Sequence, residues 1–402
     1  MVEFLEETTE FIGIKLRRIR EGRTLYWIPD PEEYGRPHRY LPADLPVFYN
    51  PLMEINRDLT IVSLAAYSDL FDKPLEELCY VEALAGSGIR GFRVLNEVGM
   101  IDVILNDINP LCIQLMHFNA RFFPVNFRAH VQIFNYDANY LLNQFRLWRK
   151  SVDIVDIDPF GTPSPFIDSA IRALKKKTGL LLVTATDTAP LVGKFENASI
   201  RKYGTVIGET LFCNEIAVRA LLYFIHREAT KYRIGLKPIF GFFFRNFVKV
   251  GLISIPGRKT ADKLWERIGW IKIKDDFEYE VLPLKKPEHN HKKLIGPLWI
   301  GEIFDKKFIK TCINKIPKIP ISDQTKRELL KWLKAEYKAS SLIMYYNLEA
   351  IASKLKRATP RIEHIIKKLR ENGYIAERTH FDTKAIKTSA PYQKIVEAIK
   401  EL

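Results

Sequence analysis

Between residues 78 and 187 short apolar runs alternate with helical stretches, and the runs end in acids. Residues 79–84, 101–105, 131–136, 152–157 and 179–184 read as strands. Glu82 lies in the first, and Asp107, Asp137, Asp158 and Asp187 stand at or just beyond the ends of the others. Strand–helix–strand alternation implies parallel pairing, because each helix returns the chain to the same edge before the next strand starts. Two further runs, 238–244 and 247–255, are separated only by Arg245-Asn246 and read as a hairpin. Together these seven strands predict an α/β fold, a Rossmann-like, doubly wound sheet closed by a hairpin. Such sheets bind ligands outside the carboxyl ends of their strands, where these acids fall.

The most pointed stretch is Ser151–Pro165. Its strand ends on Asp158, and Pro159 and Gly161 stop it, with Phe160 between them. One reading is an Asp that caps the next helix, with Phe160 in the core. The other is a ligand loop. A carboxylate accepting from an exocyclic amine aims it and raises its electron density. A ring stacked on a base holds that base still. Asp-Pro-Phe-Gly is similar to the acidic loop of methyltransferases that modify exocyclic amines.

Upstream, Ala85-Gly-Ser-Gly-Ile-Arg90 is a small-residue turn opening a helix, where Gly86 and Gly88 let a ligand approach the backbone. Asp107 follows about twenty residues later, the spacing that places an acid on ribose hydroxyls. The turn is shorter than a dinucleotide fingerprint and no phosphate-binding lysine follows, so a nucleoside without pyrophosphate fits; S-adenosylmethionine belongs to that class. Asp137-Ala-Asn139 ends the third strand, where an acid can accept from an adenine amine. Near the N-terminus, Asn50 and Pro51 suit a helix start. Leu52, Ile55, Leu59 and Val62 form its apolar stripe, with Arg57 off it. Phe48, just before that cap, is either a hydrophobic staple or a ligand contact.

Charge separates two domains. Residues 1–257 carry 30 Lys and Arg against 29 Asp and Glu, and residues 258–402 carry 32 against 19. A near-neutral catalytic body joined to a basic module that meets a polyanion is the expectation. Residues 261–320 read as a mixed basic stretch. Beyond them, helical patterns at 324–338, 348–355 and 361–372 precede a short strand within 373–380, an order similar to a winged helix. The basic run Lys15–Arg20 reads as a turn after a strand and as a second phosphate contact. The four cysteines are scattered singly, and His289 and His291 have no thiols near them, so no metal is expected. No apolar run is long enough for a membrane span and no signal-peptide pattern opens the chain, which predicts a cytoplasmic protein without membrane contact. No obligate protein partner is evident.

With these stretches in hand, the chain resembles the tRNA guanine-26 N2-dimethyltransferase family of archaea and eukaryotes. The resemblance rests on residues 47–58, 82–93, 106–110, 137–139, 156–163 and 184–193, as linked motifs. It implies methyl transfer from S-adenosylmethionine to the exocyclic N2 of a tRNA guanosine. It further implies that Asp158 accepts from that amine and that Phe48 and Phe160 sandwich the extruded base. Arg57, Glu82, Arg90, Asp107, Asp137 and Ala138 would hold the donor: Asp107 at the ribose, Asp137 and the Ala138 amide at the adenine, the others at the methionine end or in its supporting network. Asp187 would act behind the site. Two departures stand out. The paired Cys-x-x-Cys insertion of some family members is missing, and the hairpin Gly241-Phe-Phe-Phe-Arg-Asn-Phe247 is more apolar than the usual version.

Overall fold

The computed structural model describes residues 2–34, 42–99, 101–148, 150–275, 277–285 and 294–401. His289 and His291 lie outside them. Two compact units form. The first takes in Met1–Asp158, Asp168–Leu182 and Thr311–Leu330, and the second Pro159–Ile167, Val183–Lys310 and Lys331–Leu402.

The first unit opens with an antiparallel sheet of three strands in sequence order, β1 (Glu3–Phe11), β2 (Ile14–Glu21) and β3 (Thr24–Pro29). The basic run 15–20 is therefore a strand and not a turn. Leu16 and Ile19 are buried while Lys15 and Arg20 face water, a pattern that the density of charge hid. Its cations are also paired. Lys15 meets Glu33 at 3.2 Å, Arg17 meets Asp30 at 2.9 Å and Glu32 at 2.5 Å, Arg18 meets Glu7 at 2.6 Å, and Arg20 meets Glu3 at 3.3 Å. They make a weaker phosphate clamp than the sequence suggests.

The parallel body follows as β4 (Cys79–Glu82), β5 (Asp102–Asn106), β6 (Val131–Phe134) and β7 (Ile154–Ile157), with β4 pairing β5 and β7, and β5 pairing β6, all parallel. Counting β8 (Leu180–Ala185), β9 (Ile234–Phe244) and β10 (Phe247–Pro256), the sheet order is β6-β5-β4-β7-β8-β10-β9. The order reverses between β4 and β7, the place where such sheets open a crevice. All residues of β7 and β8 are buried, as strands covered on both faces must be. The Glu54–Phe71 helix is buried almost all round its first three turns, and Arg57 is buried with it instead of facing outward.

In the second unit β9 and β10 pair antiparallel, as the short Arg245-Asn246 link requires. The mixed basic stretch takes in most of the helix Arg258–Trp265, a sheet of order β12-β11-β13 and, in this unit, the start of the helix Lys306–Lys315. Those strands are β11 (Ile268–Ile273), β12 (Tyr279–Pro283) and β13 (Leu294–Trp299). Last comes a small module of β14 (Tyr346–Asn347), β15 (Ala376–Arg378) and β16 (Ala385–Thr388), ordered β14-β16-β15. The helices Leu348–Lys354, Ile362–Glu371 and Tyr392–Lys400 cover it, around a core of Leu348, Ile351, Ile365, Leu369, Ile386 and Ile395.

A buried ionic cluster ties this module to the rest of its unit. Lys387 Nζ lies 3.2 Å from Glu215 and 3.2 Å from Glu336, Arg219 lies 2.6 Å from Glu215, and His380 Nδ1 is 2.8 Å from Glu336. Burial alone would raise the Glu336 carboxyl; Lys387 and His380 outweigh it and bring it down to about 2. Among the described residues no helix is long and apolar enough to cross a membrane.

Candidate functional site

The first unit gathers Glu82, Arg90, Asp107, Asp137, Ala138 and Asp158 at the carboxyl ends of its parallel strands. Asn106, which sequence reasoning missed, knits three of these ends together. Its amide donates to the carbonyls of Ala83 (3.0 Å) and Tyr136 (2.9 Å), and its oxygen accepts from the Tyr136 N–H at 3.0 Å.

Asp107 shapes the glycine turn. One carboxylate oxygen accepts the Gly86 N–H at 2.8 Å and the other accepts the Asn109 N–H at 2.9 Å. Gly86 and Gly88 have φ of 53° and 81°, and a Cβ on Gly88 would sit 2.5 Å from Met116. The turn therefore needs glycine at position 88 for space as well as for conformation. Asp137 caps the Ala138–Leu147 helix, accepting the Tyr140 N–H at 3.0 Å, and is exposed. Ile108, 68% exposed, stands beside Asp107, and Tyr136 and Tyr140 are exposed on either side of Asp137.

Arg90 is the centre of the buried end. Its guanidinium donates to Glu82 at 2.9 Å, Asn56 at 2.7 Å, Thr60 at 3.1 Å and Asp156 at 3.4 Å, and Nη2 donates to Asp158 Oδ2. Burial opposes its charge, but Asp156 and Glu82 outweigh burial and raise the Arg90 pKa. Among the described residues no donor reaches Asp158 Oδ1. Both Glu82 oxygens are engaged, the second by the Gly91 N–H at 3.1 Å.

Arg57 stands in a second buried network. It grips Glu21 at 2.5 and 2.6 Å and reaches the Asn50 carbonyl at 3.2 Å. Arg93 joins Glu21 at 2.6 Å, Asp58 at 2.6 Å and Glu97 at 2.8 Å. Burial would raise the Glu21 carboxyl, yet Arg57 and Arg93 bring it down to about 2. Phe48 is 38% exposed, so it is not a fully buried staple.

The second unit holds the loop that follows Asp158. Phe160 is 81% exposed, which excludes the core reading of that ring. Its loop is fixed by hydrogen bonds: the Gly161 N–H donates to Thr186 Oγ1 at 2.7 Å, and Thr162 Oγ1 donates to the Tyr203 hydroxyl at 3.0 Å. Tyr203 donates to Asp187 at 2.6 Å, and Lys202 pairs with Asp187 at 2.9 Å. The signal for this network is in the sequence, since Thr186 and Asp187 directly follow a strand, but nothing local joins them to Tyr203.

A doubly wound sheet of seven strands closed by an antiparallel hairpin, with acids around a glycine turn, defines a Rossmann-like methyltransferase. A family model described as N2,N2-dimethylguanosine tRNA methyltransferase matches residues 28–400. The chain is 36% identical over 389 residues to the tRNA (guanine(26)-N(2))-dimethyltransferase of Methanocaldococcus jannaschii, covering 95% of this chain and 98% of that one. It is 32% identical over 415 residues to the enzyme of the same name from Pyrococcus horikoshii, covering 97% and 100%. A solved structure of Trm1 from Pyrococcus horikoshii in complex with S-adenosyl-L-methionine shares the fold with a TM-score of 0.82 at 31% identity, covering 95% of this chain and 99% of that one. The chain belongs to the family of N2,N2-dimethylguanosine tRNA methyltransferases.

Proposed function

We propose that this chain is a tRNA (guanine-26-N2)-dimethyltransferase, moving methyl groups from S-adenosylmethionine to the N2 amine of guanosine 26. The observation that carries the reading is a strand-end carboxylate, Asp158, held by a buried arginine in a chain that matches the family over residues 28–400.

The donor fits the residues present. An adenosine needs a carboxylate for its ribose diol, a helix-start amide and acid for its base, and apolar faces beside both. Asp107, the Ala138 amide with Asp137, and Ile108 with Tyr136 supply them on two adjacent parallel strands. Bound there, S-adenosylmethionine supplies a methyl group already activated by a sulfonium centre. The chain's own work is then mainly positioning. Glu82 and Arg57, both buried and paired, belong to the supporting network, and Arg90 links that network to Asp158.

The guanine amine is a weak nucleophile because its lone pair is shared with the ring. Asp158 accepts one of its N–H bonds through Oδ1, turns the lone pair toward the methyl and takes up the released proton or passes it to water. The Asp158 carboxylate also favours the positive charge that develops on the attacking nitrogen. Phe48 and Phe160 present exposed rings for stacking the base once it has left the helix, a step that costs a few kcal/mol.

Residues 1–257 then form the catalytic domain and residues 258–402 the tRNA-binding domain, with a winged-helix-like module at its end. A cavity of about 720 Å³ between the Asp323–Ala339 and Ile362–Glu371 helices supports a tRNA-binding role for the end of the chain. Lys331, Lys334, Lys338, Lys367, Arg370 and Arg378 line it against Glu363, Glu371 and Glu377. A groove with that excess of cations suits a sugar–phosphate strand. Side chains cannot read the deep, narrow major groove of A-form RNA, so backbone contact is the expected mode. A tRNA substrate is compatible with the cytoplasmic reading of the sequence.

Incubation with unmodified tRNA transcript and labelled S-adenosylmethionine, followed by position-mapped nucleoside mass spectrometry, tests the reading. Dimethylguanosine at position 26 is expected. Methylation elsewhere, or none, overturns the assignment.

A further inference from the structure

We propose that Phe195 is a second stacking platform, one that takes a nucleobase neighbouring the target guanosine. This rests on the methyl-transfer reading for its substrate and goes beyond it in naming a contact outside the base sandwich.

Phe195 is 61% exposed, and among the described residues no ring or cation packs on it. A single exposed apolar side chain is ordinary. This one sits on a backbone that is fixed on both sides. Behind it, the Lys194 N–H donates to the Ala189 carbonyl at 3.0 Å and the Gly193 N–H to the Pro190 carbonyl at 3.2 Å. Gly193 has φ of 89°, and a Cβ there would lie 2.6 Å from the Gly208 carbonyl oxygen, so the turn admits only glycine. Ahead of it, the Phe195 carbonyl accepts the Ala198 and Ser199 N–H groups at 3.1 and 3.0 Å, starting the Glu196–Tyr203 helix. The ring is thus held out into water by an ordered turn.

Its surroundings point to the occupant. Lys194 and Arg201 are exposed on the same segment, and Ile200 adds an exposed apolar face. An aromatic ring with cations close by in sequence is the recognition chemistry of single-stranded nucleic acid: the base lies on the ring and the phosphate meets the cation.

The helix that Phe195 opens is tied to the Phe160 loop within the same unit. Tyr203, at the far end of this helix, is hydrogen-bonded to Thr162, two residues after Phe160. At a rise of about 1.5 Å per residue, Phe195 stands roughly 12 Å along the helix from Tyr203. Phe195 therefore stands clear of the end of the helix that is tied to Thr162, which suits a neighbouring base and not the target itself. Extruding a guanosine leaves adjoining bases without a stacking partner, and an exposed ring offers one of them a new face.

The test uses the full chain with Phe195→Ala, Phe195→Leu and Phe195→Tyr, measuring tRNA affinity by filter binding and kcat/KM for tRNA alongside S-adenosylmethionine affinity. Loss of one stacked base predicts a five- to hundredfold fall, roughly, in tRNA affinity and kcat/KM for Ala and Leu. Tyr should stay near the parent, and donor affinity should be unchanged in all three. Ala equal to the parent overturns the proposal, and so does Leu equal to the parent, which would mark a greasy contact and not stacking. Parent protein that binds tRNA but methylates nothing defeats the functional reading alone, because the binding order of the three variants still decides the stacking claim.

Discussion

The Arg90 guanidinium donates to the Asp158 carboxylate while also holding Glu82 at 2.9 Å and Asn56 at 2.7 Å. The acid proposed for catalysis therefore takes its orientation from a side chain that is itself locked from three sides. A carboxylate on a mobile loop would have to be ordered by each incoming substrate. This one is aimed before the substrate arrives, and it shares its cation with two other acids, which preserves its ability to accept.

Asp158→Asn keeps the shape of that group and removes its charge. Methyl transfer to tRNA should fall by about 10²–10⁴-fold, the range for a positioned acid–base group. Donor affinity, read by calorimetry, should change little. Turnover close to the parent's would exclude Asp158 from the reaction.

Arg90→Gln takes the Arg90 cation from the buried carboxylates of Glu82 and Asp156. Removing one partner of a buried pair costs about 3–5 kcal/mol, so urea unfolding should show a loss of that order together with lost turnover. Arg90→Lys should recover part of the stability and little of the rate, because an ammonium cannot span Glu82 and Asp158 at once. An Arg90→Lys enzyme with full activity would show that only the charge matters.

Much of this arrangement is legible in the chain, and the reason is periodicity. Seven strands, the glycine turn and the strand-end acids follow from alternation and spacing, and the observed sheet has them in the expected places. Arg90 as the link to Asp158 is not legible. The two are 68 residues apart, and only the β4–β7 pairing brings their strand ends side by side. Asp156 did leave a signal: an acid inside a strand with every residue buried must have a partner. Arg57 misled in the opposite direction, since a residue off an apolar stripe faces solvent only if the helix is a surface helix. Lys15–Arg20 misled because its crowded charges dilute a two-residue alternation until it reads as a turn.

His226 gives a pH signature unrelated to the site. It is buried, stacked on Trp299 at 4.3 Å, with Nδ1–H donating to the Leu222 carbonyl at 2.8 Å. Burial pushes its pKa down from 6.5 to about 4. The unfolded chain then binds more protons between those values, so stability is full above pH 6.5 and is lost as pH falls towards 4, by at most about 3 kcal/mol. Unfolding free energies of the parent should slope upward through pH 4–6.5, and His226→Gln should flatten that slope. An unchanged slope would place its origin elsewhere.

The groove of the small module makes a salt prediction. Lys331→Gln and Lys334→Gln should each weaken tRNA binding and reduce the slope of log affinity against log salt by about 0.7–0.9. Methyl transfer at saturating tRNA should be preserved. A slope that does not move in the double variant would remove this groove from the tRNA path.

Glu21 has a practical consequence. It is the shared anion of Arg57 and Arg93, all three sealed from water, and it sits on β2, seven residues before the family match begins at residue 28. A chain trimmed to the matched residues would keep every motif and strand-end acid yet leave the Arg57 guanidinium without its carboxylate in a dry interior and take one of three acids from Arg93. Such a product should come out of expression misfolded and aggregated, its apparent inactivity saying nothing about the catalytic loop.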